Sequence, residues 1–160
     1  MINPCELRVG NYILFNKQPI MVKGVTANAV MLDGVMFQTD NPNFPYQYQL
    51  IPAEDERLEP IPLIEDILQK IRTRIPINGT RAYKYYGTKA TFLIFEDEEG
   101  YYIGMTYRNQ VFRMTPHRLE YFHQLQNVYF AQYGTEFDFN EKLLAMSIKN
   151  AVDDGLVQLQ

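Results

Sequence analysis

The stretch His117–Gly134, HRLEYFHQLQNVYFAQYG, carries the longest run of helical periodicity in the chain. At about 100° per residue, Val128, Tyr121, Leu125, Tyr129, Phe122, Tyr133, Leu119 and Phe130 fall on one continuous arc of about 200°. That is wider than the stripe of a surface helix. The spacing therefore predicts a helix over 117–133 packed on two sides, against a sheet and a neighbouring element. Pro116 suits a first-turn position and Gly134 a C-terminal stop. Gln126 falls inside the apolar arc and His123 at its edge.

Working outward, residues 81–114 read as a four-stranded antiparallel meander. Arg81–Tyr86, Ala90–Phe95, Tyr101–Tyr107 and Val111–Met114 are the strands. Gly87-Thr88, Glu96–Gly100 and Arg108-Asn109 are the turns. The stretch TFLIF, 91–95, is apolar on both faces, which suits a sheet covered by the long helix. Before the meander, Ile64, Ile67, Leu68 and Ile71 make the stripe of a helix over 62–73. Its acids come first and its bases last, which complements the helix dipole. Pro76 and Gly79 stop it. After the long helix, Asn140 caps a last helix over 141–153 with Leu144, Ile148, Ala151 and Val152 on its apolar face. Phe139 and Leu144 can form its hydrophobic staple, and Gly155 ends it.

Residues 1–56 read as a small β unit of the SH3-like barrel or curled-sheet kind. Tyr12–Phe15, Ile20–Val25, Val30–Leu32 and Tyr46–Ile51 are its strands, with turns at Gly10-Asn11, Asn16-Lys17 and Asp33-Gly34. Asp40–Pro45, with two prolines and two asparagines, is a loop. Pro52–Glu59 is acidic and polar and reads as a linker to the second unit, 57–160. The expected fold class is α+β.

Composition narrows the function classes. Apolar residues make up 46% of the chain and aromatics 14%, enough for a packed core and against disorder. Twelve Tyr and ten Phe stand beside no Trp, so many rings should lie half-buried on sheet faces or at contact surfaces. A net charge of −4 argues against a general nucleic-acid binder but leaves room for a local basic patch. Cys5 is the single cysteine, which excludes an intramolecular disulfide or a multi-cysteine metal site and fits a reducing cytosol. The N-terminus lacks the basic start and apolar run of a signal peptide, and no stretch reaches membrane-spanning length.

Four features could carry chemistry. His117 and His123 are six apart, about 120° around a helix, so they cannot share one metal at the i, i+4 spacing. No metal or cofactor is expected. Gln126 on an apolar arc costs about 1–3 kcal/mol unless its amide is paired. It either ties the helix to sheet or loop backbone, or lines a pocket with His123, Asn127 and Tyr129 beside it. Glu96–Glu99 lacks the alternating oxygen ligands of a calcium loop and reads as a solvated turn. From Ile67 to Phe95 there is no acid, yet Lys70, Arg72, Arg74, Arg81, Lys84 and Lys89 occur, with Tyr83, Tyr85 and Tyr86 interleaved. Cations with exposed rings could hold phosphates and stack bases of a single strand. The alternative is an ordinary strand edge guarded by charge. No phosphate loop, nucleophile elbow or HExxH is present, so nothing marks an enzyme.

Three motifs carry a resemblance. Glu6-Leu7-Arg8-Val9-Gly10-Asn11-Tyr12, Leu58-Glu59-Pro60-Ile61-Pro62-Leu63 and His123-Gln124-Leu125-Gln126-Asn127-Val128-Tyr129-Phe130 follow one another along the chain. They resemble the ELRxGN, LxPIPL and HQLQNLYF motifs of a group of small uncharacterised proteins. That group is encoded by phages, prophages and mobile elements of Bacteroides-like gut bacteria. The resemblance implies an intracellular origin in such a bacterium or its phage, and it implies no activity. The first functional expectation is a non-enzymatic module that binds a host or phage protein, with homo-oligomerisation left open and no membrane partner. The second is an accessory single-stranded nucleic-acid binder using Arg72, Arg74, Arg81, Tyr83, Lys84, Tyr85 and Lys89.

Overall fold

Asn16 and Lys17 both hold positive φ, 51° and 63°. That pair of left-handed residues makes a tight reversal whose twist matches the strands it joins. It folds β1 (Tyr12–Phe15) onto β2 (Gln18–Val25), with Phe15 opposite Gln18. The chain continues through β3 (Ala29–Leu32), β4 (Met36–Gln38), β5 (Tyr46–Tyr48), β6 (Ile51–Pro52) and β7 (Leu58–Glu59). The computed structural model describes residues 2–71, 73–77, 80–84, 93–108, 110–115 and 117–155. It divides into two compact units between Ile61 and Pro62, and its class is α+β.

The first unit is a curled five-stranded antiparallel sheet in the order β6-β3-β2-β1-β7. A register shift between Val22 and Gly24 adds the extra residue of a bulge, which increases twist and helps the sheet curl. Ile2, Leu7, Ile13, Val22, Val30, Leu32, Ile51 and Leu58 form its buried core. The turn before β1 is closed by its own asparagine: Asn11 Oδ1 accepts from the Arg8 N–H at 2.9 Å, while the Val22 N–H donates to the Asn11 carbonyl at 2.8 Å. The stretch 52–59, expected as a linker, belongs to this unit. Asp55 accepts from the Arg57 N–H at 3.0 Å and from its guanidinium, and the Leu58 N–H donates to the Asp55 carbonyl. This turn delivers Leu58 opposite Phe15, so the unit runs to Ile61 rather than to residue 56.

The second unit opens with α1 (Glu65–Ile71), then β8 (Thr73–Ile77), β9 (Thr80–Lys84), β10 (Leu93–Asp97), β11 (Gly100–Tyr107) and β12 (Gln110–Arg113). These strands form one meander in sequence order. It has five strands, not four: the residues around Pro76, read above as a helix stop, add β8 at the edge. Proline is tolerated there because an edge strand leaves alternate N–H positions unpaired. Helix α1 is shorter than the expected 62–73, because Pro62 bridges Tyr121 and the Leu63 N–H donates to the Glu120 carbonyl. In β10, Leu93, Ile94 and Phe95 are all buried, so both faces of the sheet are covered there, as its unbroken apolar run requires.

The helix expected to be the longest, α2, spans Phe122–Tyr133 and is one residue shorter than the last helix. Residues 117–121, expected as its first turns, are not helical, and Leu119 and Tyr121 form β-bridges. The Leu119 N–H donates to the Tyr101 carbonyl at 2.7 Å, so sheet backbone outcompetes local helical periodicity. Gln124 Oε1 then accepts from the N–H groups of Glu120 and Tyr121 and closes the helix start. Gly134, at φ 67°, ends α2 with its N–H on the Phe130 carbonyl. The chain folds back so that the rings of Phe137 and Phe139 meet Phe122 edge-on, at 6.0 and 5.0 Å between centroids. The last helix, α3 (Glu141–Asp153), matches its expected range. Asn140 Oδ1 accepts from the N–H groups of Lys142 and Leu143. It packs on α1, and Leu144, Ser147, Ile148 and Ala151 are its buried residues.

Candidate interaction surface

Two helix residues singled out as a hub or pocket lie deep inside. His123 is 2% exposed and Gln126 is 1% exposed, so neither is presented to solvent. Tyr129 is buried as well, and Asn127 is half-buried beside it. His123 was expected at the rim of the apolar arc. Because α2 starts at Phe122, His123 falls in its first turn and stacks on the Tyr121 ring at 5.7 Å. The buried arc runs through Leu125, Tyr129, Phe122, Gln126 and His123, while Val128 is only half-buried and Phe130 is exposed. His117, the other histidine, lies exposed outside the helix.

The acidic turn Asp97–Gly100 is held by its own chain. Asp97 Oδ1 accepts from the Glu99 N–H at 3.0 Å, and Arg118 pairs with both Asp97 and Glu99. The Arg118 guanidinium also covers the Tyr102 ring at 4.6 Å. Arg118 thus balances part of the turn's negative charge. Among the described residues, no group of three or more His, Cys, Asp or Glu could hold a metal ion, and no helix is long and apolar enough to cross a membrane.

Of the basic stretch, Arg72, Tyr85 and Lys89 lie outside the described residues. Tyr86 lies outside them too and Lys70 is on α1, while Arg74, Arg81, Tyr83 and Lys84 are on the first two strands of the meander. Arg74 is opposite Tyr83, Thr73 opposite Lys84, and Pro76 opposite Arg81. The strand that sequence reading missed thus places Arg74 in the same ladder as Tyr83, Arg81 and Lys84.

An extended element with solvent on both faces lies in the first unit. Among the described residues β4 and β5 pair only with each other, Met36 opposite Tyr48, Phe37 opposite Gln47 and Gln38 opposite Tyr46. The loop between them is set by its own side chains. Thr39 Oγ1 donates to the Phe44 carbonyl, and Asn41 Oδ1 accepts from the Asn43 N–H at 3.0 Å. On this ribbon Phe37 is 48% exposed, Phe44 64%, Tyr46 63% and Leu50 52%; Met36 is exposed too. Scattered exposed apolar residues are ordinary, but Met36 and Tyr46 share one face of the ribbon, with Phe44 and Leu50 just beyond the ends of β5, a grouping of the kind that marks contact sites, while Phe37 is exposed on the opposite face. Charge is nearly absent: no Lys or Arg occurs from Gly24 to Glu56, and Asp40 is the single charge between Gly34 and Leu50. Natural edge strands are usually guarded by such charges, above all by lysine.

Sequence reading placed a strand at Tyr46–Ile51 but gave it to the barrel. The structure pairs Tyr46–Tyr48 with Met36–Gln38 and sends only Ile51–Pro52 to the five-stranded sheet, opposite Val30 and Ala29. The signal that could have found the ribbon is the strict alternation of Phe44-Pro45-Tyr46-Gln47-Tyr48-Gln49-Leu50 in a stretch without a cation. Compared with known proteins, the chain matches no family model, and no curated protein and no solved structure is similar to it.

Proposed function

We propose that this protein is a non-enzymatic interaction module that docks to another protein through the β4–β5 ribbon. The observation that carries the reading is the uncharged ribbon with Met36, Phe37, Phe44, Tyr46 and Leu50 exposed. Aromatic and methionine side chains are enriched at the centres of protein interfaces, where charge is depleted. The motif resemblance supports an origin in a phage or mobile element and, with it, a partner from the phage or its bacterial host in the cytoplasm.

The test is affinity capture from such cells with the wild-type protein and with the double variant Phe37→Ser, Tyr46→Ser. A partner held by the first and lost by the second, with both equally folded, supports the reading. Identical recovery from both removes it.

A second reading, single-stranded nucleic-acid binding, is favoured by the ladder that sets Arg74 opposite Tyr83 and Arg81 opposite Pro76. It requires salt-sensitive binding that weakens when Arg81 and Lys84 become Glu. Nuclease treatment during the capture separates the two readings.

A further inference from the structure

The ribbon's hydrogen-bond phase shows which backbone groups are unused. The Thr39 N–H donates to the Pro45 carbonyl and the Gln49 N–H to the Val35 carbonyl. Antiparallel ladders alternate, so Phe37 and Gln47 form the bonded pair between them. The N–H and C=O groups of Tyr46 and Tyr48 therefore point away from β4, along the outer edge of β5. Pro45, whose missing N–H could have blunted an edge, is spent on the inner side. Among the described residues no further strand pairs with this edge.

The same stretch is close to a chemical palindrome. About Gln47, Tyr46 mirrors Tyr48 and Phe44 mirrors Leu50, and Pro45 against Gln49 is the one unmatched pair. We propose that the occupant of this edge is a second copy of the same chain, paired antiparallel through β5 about a twofold axis at Gln47. In that register Tyr46 lies opposite Tyr48 of the other copy. Each of the two donates and accepts a backbone hydrogen bond across the axis. One step outward Phe44 lies opposite Leu50, so exposed apolar residues meet apolar residues on one face. Gln47 meets its own counterpart on the other, at the close spacing of a non-hydrogen-bonded pair.

No like charges meet in this arrangement, because the only charge between Gly34 and Leu50 is Asp40, at the ribbon tip away from the axis. A cationic partner strand has no concentrated acid to answer on the ribbon itself, whereas a neutral copy of the ribbon matches it. The contact is isologous and closes on itself. Each aromatic ring offers about 150–250 Å² when wholly bared; of the four on the ribbon Phe37, Phe44 and Tyr46 are half to two-thirds exposed, and Tyr48 is half-buried. The joined area falls short of the roughly 800 Å² per partner of a stable complex. The dimer is accordingly reversible and concentration-dependent.

The inference rests on the ribbon being the docking element, as proposed above. It is tested with the full chain by sedimentation equilibrium from low micromolar to near-millimolar concentration. The wild type should show a monomer–dimer equilibrium. Gln47→Lys and Gln47→Glu each place like charges across the axis and should weaken dimerisation roughly fivefold or more. Mixing the two variants should restore it. Circular dichroism of each variant checks that the exposed substitution leaves the fold intact. In a Cys5→Ser background, Gln47→Cys should oxidise to a covalent dimer. A wild type that stays monomeric, variants that dimerise as it does, or a mixture no tighter than its components overturns the proposal. If the wild type is monomeric while Phe37→Ser, Tyr46→Ser still abolishes capture, the docking reading stands and only the second copy falls.

Discussion

The central strand of the second unit and the ribbon of the first are built from similar material and end in opposite environments. β10 runs Leu93-Ile94-Phe95, and all three side chains are buried. β4 runs Met36-Phe37-Gln38, and all three are exposed. The difference is neighbours. β10 has β9 and β11 on its edges and cover on both faces, whereas β4 has only β5. An apolar strand is therefore a statement about local conformation. Whether it is core or contact surface depends on what the rest of the chain brings to it.

The comparison makes its largest demand on β10. Phe95→Ala should cost about 3–5 kcal/mol, because a buried ring leaves a cavity. Gly104→Ala attacks the same place from the next strand. A Cβ there would stand 2.7 Å from the Phe95 ring and 2.8 Å from the Phe112 carbonyl, closer than such atoms come. The expected loss is about 1–3 kcal/mol. Both are read from urea unfolding midpoints. The contrast fails if Phe37→Ser in the ribbon costs as much as Phe95→Ala.

Next in size is the start of α2. Gln124 Oε1 serves two backbone N–H groups, at 2.8 and 3.1 Å. Gln124→Ala should cost about 1 kcal/mol, in the range of a lost cap. Gln124→Glu keeps the acceptor and should lose less. Equal losses from both would show that the residue acts through packing instead.

These positions also show what the sequence could reveal. α3 was legible to the residue because its signals are local: Asn140 caps it, and its apolar stripe repeats at helical spacing. The start of α2 was not, because Leu119 and Tyr121 fit the helical arc equally well. What decides against it is hydrogen bonding with Tyr101 and Leu63, distant in sequence. β8 was missed for a related reason: Pro76 is a breaker in a helix but acceptable on a sheet edge, and only topology says which applies. The motif residues acquire a structural account. Asn11 closes a turn, Pro62 bridges to Tyr121, and Gln124 caps a helix. The candidate surface was the least legible part. Alternation around Tyr46 reveals a strand with two unlike faces, but periodicity cannot say that the apolar one is left exposed among the described residues.

A smaller effect is expected on the ribbon itself. Phe37→Ser and Tyr46→Ser should each change stability by no more than about 0.5 kcal/mol, as surface substitutions do, while abolishing capture. Stability lost together with binding would mean that the ribbon supports the first unit, and the contrast with β10 would narrow.

The smallest effect concerns how the first sheet closes its other edge. β7 is delivered to β1 by the Asp55 turn, and hydrogen bonds from Arg57 hold the Asp55 carboxyl at about 2, below its usual 3.8. A lowered carboxyl pKa stabilises the fold while the group is ionised in the native and unfolded chain alike. That contribution is present above about pH 4 and is lost as pH falls towards 2. The pair is largely at the surface, so solvent and salt screen it and its share is modest. Urea midpoints at neutral pH and at about pH 4 should differ little on this account, and a further drop should appear below that. Asp55→Asn should flatten that last drop. The ribbon has no such ionised clamp, and its only acid is Asp40 at the tip. Dimerisation should therefore hold steady between neutral pH and about pH 5. An Asp55→Asn variant as acid-sensitive as the wild type would show that β7 is held by packing of Leu58 alone.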